Sequence, residues 1–441
     1  MSEQNDVAEL RHDYTPENHD ALVAFFGTHM HGGSGAGGRL GVEVEHFIVF
    51  DDGVPMAYYP SNGHIGVRDV LEELSHEYPE RQYTTEGELI GLNGPGGSVT
   101  LEPAAQLEVS LPPFRTIAEV EQNYRDFREL VDTYLADHAA HIVSRGYHPT
   151  HKAFDLELIP KRRYDYMNDY FTRVIHTHGE RMMRASASTQ VSIDFADEAD
   201  GIRKLRVASA IAPVLGAISD NAPVFEGEPN QLPLCRLRLW RNVDNDRCGV
   251  VPGVFDEGFS FSAYADWLLA TCPIFVTRPA ADDPNGPSTR AVYGLTAAEA
   301  YGDAPMSAQD LAQLGSMFWP DARLKQFVEI RPADCMPPEQ VLGYAALIKG
   351  VFYSESALET IESMLGVQGT LWPLTASDVE GAIANITAHG MDGLVYGTPL
   401  AEWEQTLFTL ARASLPTSEL TYLDSLEEFA GTKPWWRVTK A

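Results

Sequence analysis

The chain has 441 residues, of which 44% are hydrophobic and 22% charged, and these are ordinary values for a globular protein. Its 63 acidic and 32 basic side chains give a formal charge of −31, which repels nucleic acid and anionic membranes, so we expect neither as a partner. A small anionic substrate stays compatible with this charge, because an arginine cluster or bound metal ions can reverse the field inside a cleft.

The cysteine spacing and the first residues bear on the compartment. Cys235, Cys248, Cys272 and Cys335 follow no CxxC or zinc-finger spacing, so we interpret them as reduced thiols. The opening MSEQNDVAELRHDY has no apolar signal-peptide core, and no apolar run approaches the roughly 20 residues that span a bilayer. We expect a cytoplasmic protein that is a monomer or a homodimer.

The first forty residues are predicted to be a polar lead-in (1–20) and a glycine-rich connector (31–40) that runs into a strand. That strand, GVEVEHFIVF at 41–50, carries Glu43 and Glu45 two residues apart. A second strand-like segment, TLEPAAQLEVS, carries Glu102 and Glu108. Because side chains alternate between the faces of a strand, each pair of this spacing lies on one face.

Apolar residues then recur every three or four positions from Ile117 to Ile142, which predicts a helix over about 115–143 with His138 and His141 on its surface. The segment QVSIDFA at 190–196 alternates like a strand, with Gln190 and Ser192 on its polar face. We expect a helix over about 198–219 and a loop-rich stretch from there to 258.

Residues 278–308 are rich in Pro, Gly and Asp and are predicted to be a surface excursion. They precede FVEIRPAD (327–334), a strand with Glu329 and Arg331 on one face, and mostly helical sequence from 338 to about 413. Strands and helices alternate without a repeating unit, which favours an α+β fold with an antiparallel sheet. The tryptophan pair in KPWWRVTK, near residue 436, is interpreted as an anchor that docks the chain end.

Four strand-like segments thus share a polar face. If these strands are neighbours, the face concentrates carboxylates, which cannot all stay ionised without cations because repulsion and burial raise their pKa values. Divalent ions with oxygen ligands meet this need, and Mg²⁺ prefers carboxylates combined with phosphates and water. The alternative for any single pair is an edge strand whose acidic residues face water.

Six segments in chain order resemble the plant-type glutamate–cysteine ligase family. They are GVEVEHF, GELIGL with TLEPAAQLEVS, PKRRYDYMNDYF (160–171), RMMRASASTQVSIDF (181–195), LCRLRLWRNVDNDRCGVVPGVF (234–255) and FVEIRPAD. The resemblance implies an α+β fold in which a curved antiparallel sheet forms a funnel flanked by helices, with a glutamine-synthetase-like core. Residues 41–335 would be the catalytic core, 1–40 a lead-in, and 336–441 a helical part packed on the core in a single structural domain.

The resemblance also implies a reaction. ATP phosphorylates the γ-carboxylate of glutamate, and the amine of cysteine displaces phosphate to give γ-glutamylcysteine, the first step of glutathione-type thiol biosynthesis. Two to three Mg²⁺ or Mn²⁺ ions would be held by Glu43, Glu45, Glu102, Glu108 and Glu329. Glu45, Glu329 and Arg331 are predicted to be catalytic. Substrate would contact Arg236, Arg184, Tyr166 and Trp240, and the nucleotide Gln190, Arg331 and Arg247.

Several positions depart from the family pattern. Ala104 and Ala105 stand where the family has two glycines, Ser192 where it has Asn, Arg238 where it has His, and Ala185 where it has Thr. These departures leave two alternatives open. One is a related carboxylate–amine ligase that uses a different amine, and the other is a non-catalytic metabolite- or nucleotide-binding protein. Trp240 in LWR and Trp319 in FWP are expected to form aromatic walls of the site.

Overall fold

A computed structural model describes residues 16–30, 38–278 and 289–436. Within these ranges the helices are α1 (Pro16–Phe26), α2 (Val67–Leu74), α3 (Ile117–Ala136), α4 (Arg162–Asp169), α5 (Gly179–Ala185), α6 (Glu198–Ser219), α7 (Cys235–Trp240), α8 (Phe261–Ala270), α9 (Ala297–Tyr301), α10 (Ala308–Gly315), α11 (Pro338–Phe352), α12 (Glu355–Met364), α13 (Ala376–His389), α14 (Leu400–Ser414) and α15 (Tyr422–Ala430).

The strands are β1 (Leu40–Phe50), β2 (Glu80–Tyr83), β3 (Leu89–Gly94), β4 (Gly97–Leu101), β5 (Leu107–Ser110), β6 (Ala140–Val143), β7 (Ser188–Ile193), β8 (Val224–Phe225), β9 (Glu228–Pro229), β10 (Cys248–Gly249), β11 (Phe275–Val276), β12 (Arg290–Ala291), β13 (Trp319–Pro320), β14 (Ala322–Leu324), β15 (Val328–Asp334), β16 (Leu394–Val395) and β17 (Thr398–Pro399).

One nine-stranded sheet organises the chain. Its strand order is β14-β15-β7-β1-β5-β4-β3-β2, and β6 pairs with the second half of β1. Every pairing in it is antiparallel. The predicted α+β fold with an antiparallel sheet and flanking helices is confirmed.

The two faces of this sheet differ because its central strands alternate in polarity. Val42, Val44, Val191 and Ile330 are fully buried. Helix α6 packs on β15, and α11 packs on β1 and β7, so these helices cover the apolar face. The intervening residues of the same strands point to the other face, which is where the predicted polar side chains lie.

The helices begin at the residues that the sequence would select as caps. Thr116 accepts a hydrogen bond from Glu119 N at the start of α3, while the Glu119 carboxylate accepts from Thr116 N at 2.9 Å. Asp197 caps α6 by accepting from Asp200 N at 2.9 Å. These contacts satisfy backbone groups that a helix end leaves without partners. The predicted helix at 198–219 is confirmed.

One predicted boundary was wrong. The helix predicted over 115–143 ends at Ala136, and after Ala139 (φ +52°) the chain forms β6, in which Ile142 pairs with Ile48. This segment therefore pairs with β1 as a strand, although its apolar residues continue the helical period. His138 follows the helix, where its Nδ1 lies 2.8 Å from Tyr134 O, and His141 is in β6.

Two predicted loop regions contain short regular elements. The segment 278–308 contains β12 and α9, although its residues 279–288 are outside the described ranges. The loop-rich stretch to 258 contains α7, whose six residues are too few to give a periodic signal. Helix α1 begins at Pro16 within the predicted lead-in, and residues 31–37 of the predicted connector are outside the description.

The end of the described chain docks on the sheet's helical layer. Trp436 Nε1 donates to Asp220 Oδ2 at 2.9 Å, and Lys433 Nζ donates to the carbonyls of Ile218 and Asp220 at 3.0 Å each. The interpretation of the tryptophan pair as an anchor is confirmed for Trp436. The four cysteines are free thiols. Among the described residues, no helix combines the length and apolar composition that crossing a bilayer would require.

Candidate active site

The predicted polar side chains meet on one face of the sheet. In the strand register Glu43 lies opposite Gln190 on β7, Glu45 lies opposite Glu108 on β5, and Glu329 lies opposite Ser192. Glu102 follows the end of β4, two residues beyond Thr100, which pairs with Glu108. The neighbouring strands that the sequence argument required are therefore present.

A cavity of about 310 Å³ opens onto this face. Of the residues predicted from the sequence, it is lined by Glu43, Glu45, Glu102, Glu108, Gln190, Arg236, Trp240 and Arg331. Basic side chains line it as well, although the whole chain is strongly acidic. The cavity therefore combines carboxylates with cationic groups, which suits a substrate carrying carboxylate and phosphate together with a divalent ion.

Four of the carboxylates form an acidic half without cationic partners. None of Glu43, Glu45, Glu102 and Glu108 makes an ion pair with a described residue. Glu45 accepts from Ser188 N at 2.7 Å and Gln190 Nε2 at 3.2 Å, and Glu108 accepts from Thr100 Oγ1 at 2.7 Å.

Burial and repulsion between carboxylates raise the pKa values of three members of this half, Glu43, Glu102 and Glu108. Burial, with repulsion by Glu45, raises the pKa of Glu102 to about 7. Burial, with repulsion by Glu43, Glu102 and Glu45, raises the pKa of Glu108 well above its usual range. Burial and the charge of Glu329 also raise the pKa of Glu43. The carboxylates would ionise more readily beside a bound cation.

Glu329 has the opposite surroundings. Its side chain is fully buried beneath the cavity wall, where it contacts Arg323 Nη2 at 2.6 Å, Lys325 Nζ at 2.8 Å and Arg331 Nη1 at 2.9 Å. Although burial disfavours the charged form, these three cations hold the pKa of Glu329 well below its usual range. Glu329 thus holds Arg323, Lys325 and Arg331 in place, and these three residues form the cationic half of the cavity. Arg331 also donates to Gln190 Oε1.

Arg236 lies at the cavity with part of its guanidinium unpaired. It is 4% exposed, its Nε donates to Arg331 O at 3.0 Å, and its buried Nη1 has no hydrogen-bond partner among the described residues. Burial lowers the pKa of Arg236. Its guanidinium lies over the ring of Trp240, and the Trp319 ring is 6.0 Å from that of Trp240. Both tryptophans line the cavity, as the sequence predicted.

Three predicted residues are not at this cavity. Arg184 donates to Leu156 O and Asn168 Oδ1, and the Tyr166 hydroxyl donates to Thr289 O. Arg247 is 1% exposed and binds Asp244 at 2.6 Å as well as backbone carbonyls. Their polar groups are used in holding neighbouring segments together, so we leave these three residues out of the proposed site.

The cavity is lined instead by cationic residues that the sequence analysis did not predict. Lys161 and Arg163 line the cavity beside Glu102, and Arg323 and Lys325 line it above Glu329. Burial, with repulsion by Arg163, lowers the pKa of Lys161 to about 8. The signal for Arg323 and Lys325 was their two-residue spacing in ARLKQFVEIR, which forms the β14–β15 hairpin.

A second cavity, of about 420 Å³, adjoins the first because Glu43 lines both. Its walls include Arg39, Gly41, Ser192, Gln326 and Phe327. The polar face of the sheet therefore extends from the carboxylates to a compartment with an aromatic side chain.

The donor set fits a hard divalent ion by its chemistry. All four groups are carboxylates, and burial, with repulsion between carboxylates, raises the pKa values of Glu43, Glu102 and Glu108. Within the described ranges, however, no three acidic, histidine or cysteine side chains are close enough to coordinate one ion as they now stand.

The turn after Glu102 carries one of the departures from the family pattern. Ala105 has φ +67°, a left-handed conformation that favours glycine. Its N–H donates to Glu102 O at 3.1 Å, which closes the turn. The following Gln106 fixes the turn by accepting from Ala104 N at 2.8 Å and donating to Ser186 O at 3.0 Å.

Comparison with known proteins identifies a family and relatives to which this chain is similar. Residues 39–370 match the family model described as glutamate-cysteine ligase family 2. The chain is 31% identical over 327 residues to glutamate–cysteine ligase B, chloroplastic, of Oryza sativa subsp. japonica, a match covering 74% of this chain and 64% of that protein. It is also 31% identical over 329 residues to the chloroplastic glutamate–cysteine ligase of Arabidopsis thaliana, covering 73% and 61% of the two chains.

The fold has a counterpart among solved structures. A crystal structure of glutamate–cysteine ligase from Francisella tularensis in complex with AMP superposes with a TM-score of 0.51 and 11% sequence identity, and it covers 91% of this chain and 83% of that one. At this identity the likeness concerns the fold alone.

Proposed function

Because the chain belongs to glutamate–cysteine ligase family 2, we propose that it uses ATP to join the γ-carboxylate of glutamate to the amine of cysteine. The products are γ-glutamylcysteine, ADP and phosphate. A carboxylate is a poor electrophile, so transfer of the γ-phosphoryl group of ATP first gives γ-glutamyl phosphate. The cysteine amine then attacks the carbonyl carbon of the γ-glutamyl phosphate, the C–O bond to phosphate breaks, and the amine loses a proton.

The division of the polar face into two halves is the observation that carries this proposal. Phosphoryl transfer needs positive charge around the transferred group and precise placement of both substrates, with little covalent work by the protein. Arg323, Lys325 and Arg331 are held in place by one buried carboxylate. Their positions are therefore set before a phosphoryl group binds, so these cations need not rearrange during its transfer.

We assign Glu43, Glu45, Glu102 and Glu108 as the groups that would hold two to three Mg²⁺ or Mn²⁺ ions. A bound ion supplies charge neutralisation on the phosphates. Glu329 can reach an ion only if Lys325 withdraws from its Oε1, because Oε2 is used by Arg323 and Arg331. Its main role in this proposal is to position the two arginines.

Arg236 is the proposed partner of a glutamate carboxylate. Its buried, unpaired Nη1 favours an anion in a place where water cannot satisfy it. Trp240 and Trp319 would exclude water beside it. The nucleotide base is assigned to the adjoining cavity with Phe327, with Gln190 and Arg331 toward its phosphates, because Glu43 connects the two compartments.

The test is ADP formation from ATP, Mg²⁺ and glutamate with and without cysteine, with products identified by mass. We expect Glu45→Gln and Glu329→Gln to lose turnover while they keep the wild-type circular dichroism spectrum. Glu80→Gln, an exposed position on β2 of the same sheet, is the matched control. Activity near the wild-type rate in either site variant would contradict the assignment.

A related ligase with another amine acceptor is the second candidate, and the departures from the family pattern favour it. Ala104 adds a methyl group, where the family pattern has glycine, to the turn beside Gln106. Ser192 lines the second cavity. A pocket distinguishes side chains differing by one methylene by only about 1–3 kcal/mol. A comparison of kcat/KM for cysteine, 2-aminobutyrate, alanine and serine decides between the two candidates.

Compartment and assembly belong to the same proposal. We expect the protein to act in the cytoplasm as a monomer or homodimer, which fractionation and analytical ultracentrifugation would test. The matched part of the chain spans 64% of the length of the rice relative.

A further inference from the structure

A separate cavity, of about 700 Å³, lies on the other side of α7 from the candidate active site. Its apolar wall includes Phe225, Leu239 and Ile383, its arginines are Arg181, Arg238 and Arg241, and His178 also lines it. The walls come from α7, from α13 and from the segments near residues 178 and 225. Nothing in the proposed ligase reaction uses this space.

The cationic groups of this cavity differ in whether they are already paired. Arg241 binds Asp321 at 2.5 Å and Glu380 at 3.0 Å. Arg181 Nε lies 3.6 Å from Glu226. Arg238 makes no ion pair with a described residue, and its Nη1 is buried without a hydrogen-bond partner. Arg181 Nε also lacks a hydrogen-bond acceptor, but Arg181 has an ion-pair partner, so Arg238 is the arginine of this cavity that has neither among the described residues.

Helix α7 separates the two cavities by its own geometry. Residues four apart lie on one side of a helix. Arg236 and Trp240 accordingly line the candidate active site, whereas Cys235, Arg238 and Leu239 line the separate cavity. Arg236 Nε also donates to Arg331 O, so α7 is tied to the strand that carries the cationic half.

Two features of the separate cavity lie outside the family pattern. The family match ends at residue 370, whereas α13, which forms one wall, covers Ala376–His389. Arg238, the unpaired cation, stands where the family pattern has His. Arg241, directly after α7, links α7 to α13 because it binds Glu380 of α13.

We propose that this cavity is a binding site for a small organic anion, with a carboxylate at Arg238 and an aliphatic body against Leu239 and Ile383. A single unpaired cation matches one negative charge. The apolar wall favours a ligand that buries hydrocarbon and disfavours a strongly hydrated inorganic ion. Because α7 carries Arg236 on its opposite side, occupancy would change glutamate affinity, a consequence that rests on the proposed function.

Hexanoate and hexylamine, which share a chain length and differ in charge, are the probes for titration calorimetry. We expect hexanoate to bind the full-length wild type saturably and hexylamine to bind at least tenfold more weakly. Arg238→Gln should weaken hexanoate about tenfold or more through loss of the charge-assisted contact. Arg238→Lys should retain part of the affinity. Arg173→Gln, whose side chain is 81% exposed, is the matched control and should bind as the wild type does.

Equal binding of the two probes, or unchanged hexanoate affinity in Arg238→Gln, would overturn the site. The probe comparison on the wild type decides even if that variant does not fold. In the ligase assay, a hexanoate-dependent change in glutamate KM should disappear in Arg238→Gln, and its persistence would place hexanoate in the active site instead. Absence of ligase activity would count against the proposed function, while the calorimetric result would still decide this one.

Discussion

At the scale of single residues, two arginines a few ångströms apart have different partners and hence different expected roles. Arg236 has an unpaired, buried Nη1, while Arg331 is bound to Glu329 and Gln190. The first is free to bind a group already present on the substrate. The second would be fixed where charge develops during the proposed phosphoryl transfer.

The first prediction separates these roles. Arg236→Gln should raise the glutamate KM about tenfold or more, since it removes a charge-assisted hydrogen bond of roughly 1.5–3 kcal/mol. Arg331→Gln should instead lower kcat. Steady-state kinetics measure both, with the exposed Arg162→Gln as control. An Arg236→Gln enzyme with an unchanged KM for glutamate would refute the assignment.

A second prediction concerns the backbone at Ala105. With φ +67°, an alanine there pays a steric cost that glycine avoids, so Ala105→Gly should raise the free energy of unfolding by about 0.5–1 kcal/mol. Ala104→Gly is the control and should lower it, because glycine there only enlarges the unfolded ensemble. Urea denaturation measures both. A destabilised Ala105→Gly would mean that the alanine methyl makes packing contacts of greater value.

At the scale of elements, α14 carries a carboxylate on its buried side. Burial raises the pKa of Glu404 to about 7, against the opposing charge of Lys433, and its Oε1 has no hydrogen-bond partner among the described residues. The unfolded chain releases this proton near the usual 4.5, whereas the folded chain holds it up to about 7. The folded state therefore loses stability as the pH rises through that window.

Glu404→Gln should remove this loss. We expect it to raise the free energy of unfolding at pH 8 by up to about 3 kcal/mol and to do much less at pH 5. Exposed Glu402→Gln on the same helix is the matched control. Urea midpoints at the two pH values measure the difference. A gain of equal size at both values would show that titration of Glu404 is not its cause.

At the scale of the whole molecule, Asp220 joins the end of the described chain to the site. Its carboxylate accepts from Trp436 Nε1 at 2.9 Å and from Leu234 N at 2.7 Å, and its carbonyl accepts from Lys433 Nζ. Leu234 precedes α7 with φ +58°, a conformation that needs such support. The docked chain end thus helps to hold the helix that carries Arg236.

The corresponding prediction is that Lys433→Met lowers the free energy of unfolding by roughly 2–4 kcal/mol, because it leaves buried acceptors at the end of α6 unpaired. Exposed Thr432→Ala is the control. Chemical denaturation followed by fluorescence measures the loss. Stability equal to that of the wild type would mean that water replaces the lysine and that the chain end does not anchor α7.

The sequence alone determined what depends on local geometry. The alternation of side chains along a strand put Glu43 with Glu45, and Glu329 with Arg331, on shared faces whatever the rest of the chain did. The long apolar period of α3 and the cap at Thr116 likewise required only neighbours in sequence. These residues were predictable because their arrangement is fixed within one element.

The tertiary structure decided what depends on contacts between distant segments. It placed Gln190 against Arg331, supplied β6 where a helix was expected, and left Arg184, Tyr166 and Arg247 outside the lining of the cavity. A sequence pattern fixes the period of a strand or helix, but which face meets which neighbour is set by long-range packing. The pairing of charges across the sheet therefore follows from the fold.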